Sequence, residues 1–115
     1  MAEFRVVLHT DCMAECCRFY GDILQFPIAK EFPGGRVFGV GPDARIELLE
    51  VDGPAPTPNG VFVSIECDEI AGYHDRAVAA GWPISQPPTG QPWGHVNFSL
   101  LDPNGFLLVF FEVTG

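Results

Sequence analysis

Basic residues are scarce in this chain, and its sequence has no long apolar run. Six of the 115 residues are lysine or arginine, against fifteen aspartates and glutamates, and the formal net charge is −9. Nucleic-acid binding needs clustered positive charge, so this composition argues against a nucleic-acid partner. The longest apolar run, residues 106–111, is far shorter than the ~20 residues of a membrane-spanning helix. We therefore expect no membrane partner either.

The sequence also lacks a clear disulfide framework. Three of the four cysteines, Cys12, Cys16 and Cys17, fall in one predicted helix, which is a poor disulfide framework. Residues 1–5 lack the basic region and apolar core of a signal peptide, so we expect a cytoplasmic protein with reduced thiols. The cysteines are interpreted as small core residues. One alternative stays open, because Cys12 and Cys16 could bind a soft metal from one helical face.

What the chain does contain is enough apolar material for one folded domain, expected over residues 1–115. Hydrophobic residues make up 47% of the sequence and aromatic residues 12%, unlike a disordered chain. Residues 11–28 and 68–84 resemble each other, since both begin with Asp and end with aromatic-Pro-Ile. Each is preceded by an apolar strand. The sequence therefore predicts module 1 over residues 1–52, a linker over 53–59 and module 2 over 60–115.

The repeat predicts one strand, one helix and three further strands in each module, and local signals place seven of these eight strands. Asp11 and Asp68 are the predicted N-caps, because a carboxylate there can accept from the first-turn N–H groups. Gly81 is expected to end the second helix. The Pro- and Gly-rich segment 87–92 is expected to be a loop that covers or rims a site. The strands are predicted over residues 4–9, near 28, and over 36–40, 45–51, 61–67, 95–101 and 106–113.

Three segments, in order and at family-like spacing, carry a resemblance to a known family. They are Asp11 with residues 18–24 (RFYGDIL), residues 45–48 (RIEL) and residues 98–105 (FSLLDPNG). Together they resemble the vicinal oxygen chelate superfamily, which contains glyoxalases, bleomycin-resistance proteins and extradiol dioxygenases. The resemblance implies an α+β fold in which two βαβββ modules form a curved mixed sheet around a cup-shaped pocket. It also implies a homodimer.

The resemblance further implies where a divalent metal would bind in metal-dependent members. The corresponding positions are Phe4, Glu47, Val61 and Val109. Only Glu47 carries a metal ligand, whereas a divalent cation needs several N or O ligands. We therefore predict no metal site and no cofactor.

Strand alternation selects the residues that would line the pocket. His95, Asn97 and Ser99 share one face of their strand, whereas Val96, Phe98 and Leu100 form an apolar face expected under a helix. His9 is expected on the face opposite to Phe4 and Leu8. For Glu47 the alternative to a ligand contact is a plain ion pair with Arg45 or Arg36. For His95 the alternative is the role of an ordinary histidine in an edge strand. The predicted ligand contacts are Leu8, Arg45, Glu47, Trp93, His95, Asn97, Val109 and Phe111.

Three functions remain in competition. The first is a metal-free protein that binds a small organic ligand, possibly a drug or antibiotic, as bleomycin-resistance proteins do. Trp93, Phe111 and Trp82 together with the acidic charge suit an aromatic or cationic ligand. The second is a divalent-metal-dependent lyase or isomerase resembling glyoxalase, or a dioxygenase. The third is metal-free acid–base catalysis by Glu47 and His95.

Overall fold

The computed structural model describes residues 2–115 and divides into two compact units. The first unit ends at Thr57, and the second runs from Pro58 to Gly115. Both units have the predicted order of one strand, one helix and three strands, and both have a mixed four-stranded sheet. The predicted α+β class with two βαβββ modules is therefore confirmed. The grouping of both modules into one domain stays a prediction.

The first unit begins with strand β1 (Phe4–Thr10) and helix α1 (Met13–Cys17), which continues as a π-helix (Arg18–Ile23). Its other strands are β2 (Ile28–Phe32), β3 (Gly35–Gly41) and β4 (Ala44–Glu50). The sheet order is β1-β4-β3-β2, with β1 parallel to β4 and the other pairs antiparallel.

The second unit repeats this arrangement. Its elements are β5 (Phe62–Glu66), α2 (Ile70–Ala79), β6 (Gln86–Gln91), β7 (His95–Leu101) and β8 (Leu107–Val113). The sheet order is β5-β8-β7-β6, and β5 and β8 are the parallel pair. Among the described residues, neither α-helix is long and apolar enough to cross a membrane. No disulfide joins the four cysteines within residues 2–115.

One face of each sheet packs under the helix of its own unit. In the first unit the ring of Tyr20 lies 5.6 Å from that of Phe38, and both side chains are fully buried. In the second unit Tyr73 of α2 stacks on Phe110 at 4.6 Å, and Phe98 is fully buried nearby, 5.4 Å from Phe110. The prediction that the Phe98 side of β7 lies under a helix is therefore confirmed.

Both predicted helix N-caps are wrong. The N-cap residues are Cys12 for α1 and Glu69 for α2, and neither side chain caps its own helix. The Asp11 carboxylate instead accepts a hydrogen bond from the backbone N–H of Ala55 at 2.8 Å. The first N–H of α2, that of Ile70, donates to Oε1 of Glu112 at 3.0 Å. A distant carboxylate thus takes the place of a local cap, which removes the need for an aspartate at position 68.

The predicted end of the second helix is correct. Gly81 has φ +72° and follows the last turn of α2. Its N–H donates to Val78 O at 3.0 Å, and the Trp82 N–H donates to Ala77 O at 2.9 Å. These two bonds form a Schellman motif, in which the residue after the C-cap adopts positive φ.

Segment 87–92 was predicted as a loop, and this prediction is wrong. Residues Gln86–Gln91 form β6, which pairs with β7. Two prolines are tolerated there because β6 is the edge strand of its sheet and the register shifts between Gln86 and Thr89, where Pro87 and Pro88 lie. An edge position with a bulge does not need the N–H groups that proline lacks.

Candidate functional site

Apart from Leu8, the candidate site residues within strands lie on the sheet faces opposite to the helices. In the first unit this surface is named the Glu47 face and comprises Arg5, Val7, His9, Arg45, Glu47 and Leu49. In the second unit it is named the His95 face and comprises His95, Asn97, Ser99, Val109, Phe111, Ser64 and Glu66. Alternation along each strand and the pairing register define both sets.

The first strand has a different orientation from the predicted one. In the β1–β4 ladder Val7 pairs with Glu47, whereas Phe4 pairs with Ala44 and Leu8 with Leu48. Leu8 and Leu48 are buried on the helix side. Phe4 and Leu8 therefore lie opposite to Glu47, and the placement of Leu8 beside Glu47 is wrong. His9, expected away from the site, lies on the Glu47 face. Parallel pairing with β4 fixes this register, and local alternation cannot reveal it.

Ion pairs dominate the Glu47 face. Arg5 donates from Nη1 to Oε1 of Glu47 at 2.8 Å and from Nη2 to the carboxylate of Glu3. Glu3 also pairs with Arg45, whose Nε lies 3.2 Å from its Oε1. Hydrogen bonds to Glu47 and Glu3 raise the pKa of the Arg5 guanidinium above its ordinary value. The expected partners of Glu47 were Arg45 or Arg36, so the predicted ion pair exists with a different arginine.

Aromatic rings dominate the His95 face. The His95 imidazole stacks on the Phe111 ring with centroids 4.5 Å apart and an interplanar angle of 15°. The Trp93 indole approaches His95 edge-on at 6.5 Å and is 63% exposed. Asn97, which pairs with Phe111 across the strands, accepts a hydrogen bond at Oδ1 from Gln91 Nε2 at 3.0 Å. This surface can present ring faces and a few polar atoms to a ligand.

The sequence matches a family model described as the Glyoxalase/Bleomycin resistance protein/Dioxygenase superfamily over residues 4–110. The chain belongs to this superfamily. Comparison with curated protein sequences gives no significant match.

Solved structures of the superfamily share the fold. A glyoxalase/bleomycin resistance protein/dioxygenase from Nocardioides is 23% identical with a TM-score of 0.75, covering 99% of this chain and 84% of the other. The bleomycin resistance determinant encoded on transposon Tn5 is 20% identical with a TM-score of 0.78, covering 98% of both chains. A protein of the same description as the first, from Alicyclobacillus acidocaldarius, is 17% identical with a TM-score of 0.77, covering 98% and 92%. These identities establish the fold alone.

The superfamily's metal positions contain few donor atoms in this chain. The register moves the first-strand positions by one residue, to Arg5, which shares the face of Glu47, and to Phe62, which shares that of Val109. Glu47 is the one carboxylate in this set, and its Oε1 already accepts from Arg5. Within residues 2–115, no group of three or more His, Cys, Asp or Glu is placed to hold a metal ion. These side chains do not fit a divalent cation, which needs several N or O ligands.

The structure brings together five of the predicted ligand contacts and separates the others. Trp93, His95, Asn97, Val109 and Phe111 lie together in the second unit, while Arg45 and Glu47 lie in the first. Their roles in binding stay predictions.

The structure changes the interpretation of two residues, Trp82 and Glu66. Trp82, counted as a candidate aromatic contact, follows α2 and donates from Nε1 to Leu101 O at 2.8 Å, which anchors the helix end. Glu66 was overlooked. It pairs with Phe111 across the parallel β5–β8 ladder, and so lies on the His95 face. Alternation along β5 was the available signal, but it required the register with β8.

Proposed function

We propose that this protein binds a small organic ligand with a flat aromatic part and a positive charge, and that it sequesters the ligand without a metal. The observation that carries the proposal is the parallel stack of His95 on Phe111, at 4.5 Å. Both rings are half-buried, and the exposed Trp93 indole lies beside them. Such a set of rings offers stacking surface to a planar molecule. Arg45 and Glu47 stay predicted contacts, whereas Leu8 is buried on the helix side of its sheet.

Charge supports a cationic ligand. Glu66 is exposed and occupies the strand position next to Phe111. The chain as a whole carries a formal charge of −9, which attracts cations over a distance. A cation held over an aromatic ring and beside a carboxylate gains from both contacts.

The donor chemistry at the superfamily's metal positions supports binding rather than metal-assisted catalysis. Glu47 stands alone as a carboxylate there, and the Arg5 guanidinium that binds it would repel a divalent cation. The alternative function is a divalent-metal-dependent lyase or isomerase of the glyoxalase type, or a dioxygenase. We further propose a homodimer, as superfamily membership suggests, and a cytoplasmic location.

The structural similarity to the bleomycin resistance determinant of Tn5 suggests bleomycin as the first probe. The chain contains two tryptophans, so the variant Trp82→Phe leaves Trp93 as the single indole reporter. Titration of this variant with metal-free bleomycin in the presence of EDTA should quench the Trp93 fluorescence in a saturable way. Saturable binding that appears only after addition of Zn²⁺, Ni²⁺ or Mn²⁺ would favour the metal-dependent alternative.

Variants on the His95 face localise the ligand. Phe111→Leu and Trp93→Ala should each weaken binding by about 0.5–1.5 kcal/mol, or roughly 2- to 10-fold in Kd by calorimetry, because each loses one stacking contact. Trp82→Phe is the matched aromatic control and should keep the wild-type Kd. Equal Kd values for all three variants would place the ligand elsewhere. Elemental analysis of protein purified without chelator completes the test, since one divalent metal ion per chain would contradict the proposal.

A further inference from the structure

A cluster of two cysteines around one hydroxyl lies on the helix side of the first sheet. The Oγ1 atom of Thr10 lies 3.4 Å from the sulfur of Cys12 and 3.4 Å from the sulfur of Cys16. Thr10 follows Leu8 on the face opposite to Glu47. The cluster therefore lies on the opposite side of the first sheet from the Glu47 face.

Backbone geometry holds the two sulfurs on one side. Cys12 is the N-cap residue of α1, and the N–H of Cys16 donates to Cys12 O at 3.1 Å. The Cys12 N–H also donates to Thr10 Oγ1 at 3.1 Å, which ties the start of the helix to the end of β1. Residues four apart on a helical turn share a face, so both thiols point to the same hydroxyl.

Burial differs between the members in a way that suits a bound ion. Thr10 and Cys16 are fully buried, whereas Cys12 is half-buried and gives access from solvent. We infer that Cys12 and Cys16 form a two-thiolate site for a soft monovalent metal ion of the Cu(I) class. Thiolate sulfur prefers such ions over hard divalent cations, and they accept a small number of ligands. This site is independent of the proposed small-molecule function.

The binding step needs no oxidant or reductant. Each thiol releases one proton to solvent, and the two thiolates each form one bond to the ion, which keeps its oxidation state. The Thr10 hydroxyl can donate to one of the thiolates so formed. The chain's negative charge also favours accumulation of cations near the site.

The internal repeat provides a comparison within the same molecule. The positions 57 residues after Thr10, Cys12 and Cys16 are Cys67, Glu69 and Tyr73. The second unit therefore has no cysteine pair at this place. Cys17 and Cys67 are both half-buried thiols outside the cluster, and so they serve as matched controls.

The experiment titrates the reduced full chain with Cu(I) buffered by bicinchoninate under anaerobic conditions, with native mass spectrometry to count bound ions. We expect one ion per chain. Cys12→Ser and Cys16→Ala should each lower the Cu(I) affinity by more than ~100-fold. Loss of a residue that only hydrogen-bonds to a metal ligand already costs ~10–100-fold in affinity. The double variant Cys17→Ser/Cys67→Ser should keep wild-type affinity and stoichiometry.

Cys16 is buried, so its variant needs a check on folding by circular dichroism. Cys12→Ser changes a half-buried position and decides the matter if Cys16→Ala does not fold. Unchanged Cu(I) affinity in Cys12→Ser would overturn the inference, as would loss of binding in the Cys17/Cys67 double variant. Failure of bleomycin binding alone would bear on the proposed function and leave this site intact.

Discussion

The carboxylate of Glu112, in the last strand, accepts a hydrogen bond from the backbone N–H of Ile70 at 3.0 Å. This contact caps α2 from a residue 42 positions away, in place of a local side chain. Glu112→Ala should therefore lower the free energy of unfolding by about 0.5–2 kcal/mol, the range for loss of an N-cap. Urea denaturation followed by circular dichroism measures the change.

Glu50 is the matched control for Glu112. It lies 62 positions earlier, at the end of β4, and is exposed. Glu50→Ala should change the free energy of unfolding by less than about 0.5 kcal/mol, as is usual for exposed sites without a structural role. An equal loss in both variants would mean that the effect of Glu112 comes from net charge rather than from the cap.

Local sequence signals predicted those elements whose boundaries are set by neighbouring residues. Strand β7 was predicted correctly, because the turn after it is encoded by Asp102 and Gly105 within a few positions. Asp102 accepts at Oδ1 from the N–H of Phe106 at 2.8 Å, and Gly105 has φ +80°. Such turn chemistry is contained in the sequence itself.

Features that depend on distant partners could not be predicted. The Arg5–Glu47 ion pair and the Ile70–Glu112 cap each join residues 42 positions apart. The same reason explains the wrong face of Leu8, which depends on the parallel register with β4. Strand β6 was missed for a different reason. Its prolines are unfavourable in a β-strand except at a bulged sheet edge. Whether a strand lies at the edge depends on the whole sheet, so local sequence signals could not locate β6.

The left-handed backbone of Gln25 predicts a stabilising substitution. Gln25 has φ +61°, and among residues 2–115 no other non-glycine residue has a positive φ. Gly81 holds the equivalent position in the repeat. A side chain in this conformation is strained by roughly 1–2 kcal/mol, which exceeds the entropy that glycine loses on folding. Gln25→Gly should therefore raise the free energy of unfolding by about 0.5–1 kcal/mol, seen as a higher urea midpoint at constant slope.

The reverse change in the second unit tests the same cause. A Cβ atom added at Gly81 would have no heavy atom within 4 Å, so the cost of Gly81→Gln is conformational rather than steric. We expect it to lower the free energy of unfolding by about 1 kcal/mol. A destabilising Gln25→Gly would instead show that contacts of the Gln25 side chain outweigh its backbone strain.

The thiol of Cys67 should react slowly with alkylating agents near neutral pH. Burial, and next the nearby Glu112 carboxylate, raise the pKa of Cys67 above the ordinary value for cysteine. At a given pH a smaller fraction of Cys67 is thiolate than of an unperturbed thiol, and the thiolate is the reactive form. The rate of Cys67 alkylation by iodoacetamide should therefore increase at a higher pH than the rate of glutathione alkylation does. Mass spectrometry of the modified peptide measures this rate.

Glu112→Gln should shift the pH profile of Cys67 alkylation to lower pH. Glutamine keeps a side-chain oxygen that can accept the hydrogen bond from the backbone N–H of Ile70. It removes the negative charge that opposes formation of the Cys67 thiolate. The control Glu50→Gln makes the same charge change in the other unit and should leave the profile unchanged. A profile that moves equally in both variants would assign the shift to net charge.

The last prediction concerns the choice of ligand charge. If the ligand is cationic and binds over Phe111, Glu66→Gln should weaken the binding of bleomycin by about 2- to 5-fold, the order of up to ~1 kcal/mol for an exposed ion pair. Glu15→Gln removes the same charge from an exposed position on α1 and serves as the control. Calorimetry at low salt and at 0.5 M salt separates the causes, since exposed charge pairs are screened by salt and stacking is not. A larger Kd for Glu66→Gln than for Glu15→Gln at low salt, with no such difference at high salt, identifies Glu66 as a direct contact. An equal loss of affinity in both variants would mean that only the overall negative charge of the chain attracts the ligand.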